Sequence, residues 1–138
     1  MKKEIGILGL GSMGKAIALN LKKKYKIFGY DVNEHNRLKS TKNFLFIKNL
    51  KEIFLKTDTF IIIVLNENQC EKIFNTFIKI KKNSKINKKY TIINCTTVSP
   101  DWVGKIYKKL KKNNFEYIDC PVSGGPKKAI KGKLSLIL

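Results

Sequence analysis

No stretch of this 138-residue chain approaches the ~20 consecutive apolar residues of a membrane-spanning helix, so no segment is expected to cross a bilayer. Cysteine is scarce. Cys70, Cys95 and Cys120 are odd in number and show no CxxC spacing, which excludes a disulfide scaffold and a structural zinc site. No metal site is expected, and a reducing, cytoplasmic-type compartment is the default for such thiols. Met1, Lys2 and Lys3 run directly into an apolar stretch, leaving no room for a signal or transit peptide. Histidine is reduced to His35, in a polar run where solvation is its expected state. Acids are few: 10, against 29 basic residues, for a net charge of +19.

That charge alone would suit nucleic acid or an anionic membrane. Arginine, however, is almost missing, with Arg37 the only one. Base-reading proteins lean on arginine forks and aromatic platforms. The coupled abundance of lysine, isoleucine and asparagine reads instead as the bias of an AT-rich coding sequence. The runs Lys22 to Lys24 and Lys108 to Lys112 fall at predicted helix ends, where cations suit the helix dipole. Neither a nucleic-acid nor a membrane partner is expected. Binding of anionic ligands should be salt-sensitive.

What is present alternates in two kinds of segment. Short β-branched runs predict strands over 4–10, 26–30, 44–47, 59–65, 90–94 and 115–119. Apolar residues spaced by three and four predict helices over 13–23, 50–55, 69–80 and 100–110, with a short one over 33–39. Ser99 and Pro100 suit a cap and first helical position. A further strand should follow Lys133 and include Leu138. Such alternation predicts a Rossmann-type, doubly wound α/β fold with a mostly parallel sheet, the whole chain forming one domain. Residues 61–64, apolar without alternation, suit a central strand buried on both faces. Ligands of such sheets sit beyond the carboxyl ends of the strands. Those ends are Gly9 to Gly14, Asp31, Val64-Leu65, Asn94 to Thr97 and Cys120 to Gly125.

The first of them reads Gly9-Leu10-Gly11-Ser12-Met13-Gly14, between a predicted strand and a predicted helix. This is the dinucleotide-binding fingerprint in its required context. Gly9 permits a tight turn, Gly11 lets the backbone approach a pyrophosphate, and Gly14 lets helix and strand pack closely. The helix start offers free N–H groups and partial positive charge to phosphates. Asp31 ends the second predicted strand 20 residues after Gly11, where an acid is expected to hold the adenosine ribose. A carboxylate there accepts hydroxyl bonds and repels a 2′-phosphate. NAD is therefore favoured, with NADP as the alternative. Cys95 and Cys120 fall at the ends of neighbouring predicted strands and are expected to be small buried hydrophobes.

Two further strand ends carry distinctive sequence: Asn94-Cys95-Thr96-Thr97-Val98-Ser99-Pro100, and Asp119-Cys120-Pro121-Val122-Ser123-Gly124-Gly125-Pro126 followed by Ala129-Ile130-Lys131-Gly132-Lys133-Leu134. Together with the glycine loop these resemble the β-hydroxyacid dehydrogenase family, in particular its 3-hydroxyisobutyrate dehydrogenase branch. The resemblance covers the whole chain. It implies an NAD(P)-dependent oxidoreductase that moves hydride between nicotinamide and a small 3-hydroxy acid. By position, Gly9, Leu10, Gly11, Ser12, Met13, Gly14 and Asp31 would bind the cofactor. Val64 and Leu65 would line the nicotinamide side, where the family often has Leu-Pro. Gln69 would lie near a further contact, and Thr97 would touch the nicotinamide half. Ser123, Gly124 and Gly125 would take the substrate, as a hydroxyl and free amides suit a carboxylate.

The family's catalytic lysine, in a G-x-x-x-K-x-x-N element, matches no lysine of this chain. The resemblance therefore implies a cofactor-binding domain over 1–138 without the helical domain that completes the pocket and forms the dimer. A homo-oligomer is expected only with that domain, and turnover by 1–138 alone is expected to be little or none. A non-catalytic dinucleotide-binding module and an NADP-binding domain of the 6-phosphogluconate dehydrogenase type remain as alternatives.

Overall fold

A computed structural model of the protein describes residues 1–137. Leu138 lies outside the described residues, and with it the end of the strand expected after Lys133. Six parallel strands form one sheet: β1 (Glu4–Leu8), β2 (Lys26–Tyr30), β3 (Phe44–Phe46), β4 (Thr59–Ile62), β5 (Tyr90–Asn94) and β6 (Phe115–Asp119). Their spatial order is β3-β2-β1-β4-β5-β6. The order reverses between β1 and β4, which is where an open parallel sheet has its ligand crevice. Helices α1 (Ser12–Leu21), α2 (Leu50–Lys56), α3 (Glu67–Asn83) and α4 (Pro100–Lys112) make the crossovers. A short hairpin, β7 (Val122–Ser123) with β8 (Ser135–Leu136), encloses α5 (Gly125–Ile130).

The two faces of the sheet are covered differently. On one, α2, α3 and α4 pack over Phe60, Ile62, Tyr90, Ile92 and Phe115, with the Phe54 ring 4.3 Å from that of Tyr90 and 4.8 Å from that of Phe77. On the other, small residues Ala16 and Ala18 of α1 and Ala129 of α5 lie over Ile5, Ile7 and Ile27. Asn20 of α1 donates to the Ile130 carbonyl at 2.8 Å, tying α5 to α1. Lys81 is buried with no carboxylate partner among the described residues. Its ammonium donates to the Asn113 and Asn114 carbonyls at 2.9 and 3.0 Å, just past the end of α4, and lies over the Phe115 ring. A cation compensating a helix C-terminus suffices to explain it.

Element types follow expectation, while several ends differ for local reasons. The first strand stops at Leu8 rather than Leu10, because Gly9 turns out of it with φ +103°. The fourth stops at Ile62 rather than Leu65, because the amides of Val64 and Leu65 bond to side chains instead of a strand. Helix α3 starts earlier than expected, at Glu67, because Asn66 caps it by accepting from the Gln69 amide at 3.0 Å. Ser99 does stand at the N-cap of α4, yet its hydroxyl makes no cap bond. Its amide donates to Glu67 Oε1 at 2.7 Å instead. The stretch 33–39 forms only a 3-10 turn, Glu34–Asn36. Lys22 to Lys24 follow α1 rather than occupying its last turn.

Glycine substitution checks this packing. A Cβ on Gly14 would stand 1.8 Å from the Gly9 carbonyl oxygen, whereas one on Gly104 of α4 would meet nothing within 4 Å. Gly14→Ala should cost about 1–3 kcal/mol of unfolding free energy, the range of a forced backbone shift in a packed core. Gly104→Ala should gain about 0.5–1 kcal/mol from helix propensity. Urea denaturation of both variants measures the contrast.

Candidate functional site

The glycine loop joins β1 to α1 at the point where the strand order reverses. Gly9 donates to the Tyr30 carbonyl at 2.9 Å, and the Leu10 amide donates to Asp31 Oδ2 at 2.7 Å. Helix α1 opens at Gly11 with no side-chain cap and no acid in its first turn. Its first amides, from Ser12 onward, therefore have no helical acceptor, and Gly11 and Ser12 are exposed. A Cβ on Gly11 would meet nothing within 4 Å. Free amides, an uncompensated helix dipole and open space over a glycine suit a diphosphate.

The expected loop residues do not all face that opening. The Leu10 side chain is fully buried and its amide is held by Asp31, so Leu10 anchors the loop. Met13 is half-buried against the α1 core, and Gly14 is buried as the contact point with Gly9. Asp31 is also engaged inside the protein. Oδ1 accepts from the Asn33 amide at 2.7 Å, and Oδ2 accepts from Asn36 Nδ2 at 3.3 Å besides Leu10. A carboxylate has about four acceptor positions, so one direction is left for a ribose hydroxyl.

The ends of β4 and β5 lie next to the glycine loop. Val64 donates to Thr96 Oγ1 at 3.0 Å and Leu65 donates to Gln69 Oε1 at 3.0 Å. Gln69 thus acts on the backbone of the loop. Leu65 is 85% exposed, and with Asn66, Glu67, Asn68 and Thr97 it lines a cavity of about 360 Å³. Leu65 and Thr97, two residues that the family resemblance expects on the nicotinamide side, line one opening, with Val64 held next to it by Thr96. Glu67 was not anticipated. Its carboxyl is held below the usual range, chiefly by the Ser99 amide, and it adds negative charge to that opening. The asparagine-to-glutamine spacing from Asn66 to Gln69, a capping-box pattern, was the available signal.

Ser123 lies on β7, exposed, followed by Gly124 and Gly125 with φ of +130° and +73°. The chain reaches them from the carboxyl end of β6 and continues into α5, which packs on α1. The substrate-type element thus leads into a helix that is tied to α1 through Asn20, in the last turn of α1. Among the described residues no three His, Cys, Asp or Glu side chains gather as a metal site would need, and no helix is long and apolar enough to cross a membrane. The three cysteines are free and buried. Burial pushes the Cys95 thiol up to about 12 and raises those of Cys70 and Cys120, so they behave as small hydrophobes rather than nucleophiles.

Residues 4–138 match the model of the family described as the NAD binding domain of 6-phosphogluconate dehydrogenase. The chain belongs to this family. It is therefore a member of an NAD(P)-binding family with a Rossmann-like α/β fold. It is 28% identical over 137 residues to 2-(hydroxymethyl)glutarate dehydrogenase of Eubacterium barkeri, covering 98% of this chain and 45% of that protein. It is 30% identical over 139 residues to the mitochondrial 3-hydroxyisobutyrate dehydrogenase of Drosophila melanogaster, covering 99% of this chain and 41% of that protein. The chain thus spans less than half the length of these curated relatives. The solved structure of Mycobacterium tuberculosis 3-hydroxyisobutyrate dehydrogenase with L-serine superposes with a TM-score of 0.86 at 20% identity, over 99% of this chain and 46% of that one. At that identity the likeness shows the fold.

Asp119, at the end of β6, has a buried Oδ1 without a hydrogen-bond partner among the described residues. Burial raises its pKa. The unfolded chain then loses this proton at lower pH than the folded one, so this group's contribution to stability falls as pH rises from its unfolded value through its folded one. Asp119→Asn should remove that fall and leave the protein more stable at neutral pH than the parent. Denaturation curves collected across the acid range measure it.

Proposed function

We propose that this chain binds NAD(H) in the crevice between the glycine loop and the loop after β4. In this reading it serves as the coenzyme-binding part of an oxidoreductase acting on a small 3-hydroxy acid. The observation that carries the proposal is the uncapped, acid-free start of α1 beneath open space at Gly11. Amides of Gly11, Ser12 and Met13 would hold the diphosphate. The remaining acceptor direction of Asp31 would take the adenosine ribose, favouring NAD over NADP. Val64, Leu65 and Thr97 would flank the nicotinamide, with Gln69 fixing the loop. When bound, the coenzyme supplies hydride chemistry.

The Ser123 hydroxyl and the amides of Gly124 and Gly125 would receive a carboxylate. The names of the relatives, which are dehydrogenases of 3-hydroxyisobutyrate and 2-(hydroxymethyl)glutarate, support that substrate class. None of the lysines in 1–138 matches the acid–base lysine that the family resemblance implies. Turnover is accordingly assigned to a larger assembly that includes such a lysine, and coenzyme binding to these residues. The buried free thiols suit a reducing, cytoplasmic-type compartment.

Trp102 is the only tryptophan, so energy transfer from it to NADH reports binding directly. NADH titration should quench Trp102 emission and sensitise nicotinamide emission, with NADPH binding at least about tenfold more weakly because of Asp31. Gly11→Val should lower the urea midpoint only slightly, since space there is open and the cost is that of a poorer N-cap, yet weaken NADH by about tenfold or more by occupying the diphosphate position. A Gly11→Val variant that binds NADH as the parent does would defeat the proposal.

A further inference from the structure

A chain of buried polar groups runs from β6 through β5 to the loop after β4, and beyond the Val64–Thr96 bond no role assigned above uses it. Asn94, fully buried at the end of β5, donates from Nδ2 to Tyr117 Oη at 3.1 Å. Its Oδ1 accepts from the Thr96 amide at 3.2 Å and lies 3.8 Å from the Cys70 thiol. Thr96 is 2% exposed, and its Oγ1 accepts the Val64 amide at 3.0 Å. Thr97, the next residue, points the other way and lines the 360 Å³ cavity with Leu65. The Val64 amide is the first after the β4 ladder, since Ile63 still bonds to the Leu8 carbonyl at 2.9 Å. With no proline at 64–66 to stiffen the backbone, the path of the loop beyond Ile63 depends on acceptors from elsewhere.

We propose that Thr96 is a positioning residue for the nicotinamide side of the crevice. Held by Asn94, its hydroxyl oxygen fixes the Val64 amide and with it the direction in which Leu65 leaves the sheet. The role deepens the coenzyme reading and rests on it. Thr96 touches no ligand itself. It acts through Val64, so its removal should disturb the nicotinamide half of the crevice and spare the adenosine half, which lies on β1, α1 and Asp31. Two neighbouring threonines thereby divide the work: Thr97 faces the opening and Thr96 sets its wall.

The test compares Thr96→Val, which keeps shape but loses the acceptor, with Thr96→Ser, which keeps the acceptor. Three quantities are read: exchange of the Val64 amide, affinity for NADH, and affinity for ADP-ribose, which lacks nicotinamide. Loss of a partner for a part-buried amide should speed Val64 exchange in Thr96→Val and weaken NADH by about tenfold, while ADP-ribose changes by less than about twofold. Thr96→Ser should restore both values. Equal weakening of both ligands would mean general destabilisation and would overturn the role, as would unchanged NADH binding. If Thr96→Val does not fold, Val64 exchange in the parent without coenzyme decides: a protected amide supports the bond, an unprotected one overturns it. A parent that binds neither ligand while protecting Val64 would sink the coenzyme reading and the positioning role together, leaving only the hydrogen bond.

Discussion

One close approach governs this molecule: the carbonyl of Gly9 occupies the place where any other residue at position 14 would carry its Cβ. The strand end and the helix start meet with no side chain between them. The first amides of α1 are therefore brought to the carboxyl end of β1, with no helical acceptor and no side-chain cap among the described residues. Position 9 is constrained a second time, since its positive φ coincides with Ile63 backbone where a side chain would stand. Replacing either glycine would force β1, α1 and the end of β4 apart, and with them the crevice.

Asp31 links that turn to the next strand. Its carboxylate accepts the Leu10 amide across the gap between β1 and β2 and also holds the turn after β2 through Asn33 and Asn36. The same group that a ribose would meet thus first sets the shape of the loop. On the far side of the crevice Thr96 and Gln69 hold the Val64 and Leu65 amides in a similar way. Side-chain acceptors on both sides orient backbone that would otherwise be free, so contacts within the protein shape both loops.

The sheet and its helices were legible because each rests on a local pattern: β-branched runs, three-and-four spacing, and glycines at fixed offsets. The order of the strands, with its reversal between β1 and β4, is set by pairing between distant segments and not by any local pattern. Ends of elements were not legible where partners distant in sequence decide them. Val64 and Leu65 continue an apolar run, yet Thr96 and Gln69 take their amides. Ser99 has the chemistry of a cap, yet Glu67, 32 residues away, takes its amide. The β7–β8 hairpin rests on a pairing of Val122 with Leu136 that no local periodicity announces. At the site, motif positions did not announce that Leu10 and Gln69 serve the loop rather than face the opening. The net charge of +19 pointed nowhere by itself, and Lys81 shows lysine serving an internal role.

We propose the free amides at the start of α1 as a diphosphate seat. Amide chemical shifts followed by NMR during addition of ADP-ribose test it most directly. With a diphosphate seated there, Gly11, Ser12 and Met13 should move first and furthest, saturating together. Shifts confined to the lysine-rich ends of α3 and α4, with the glycine loop unmoved, would contradict it.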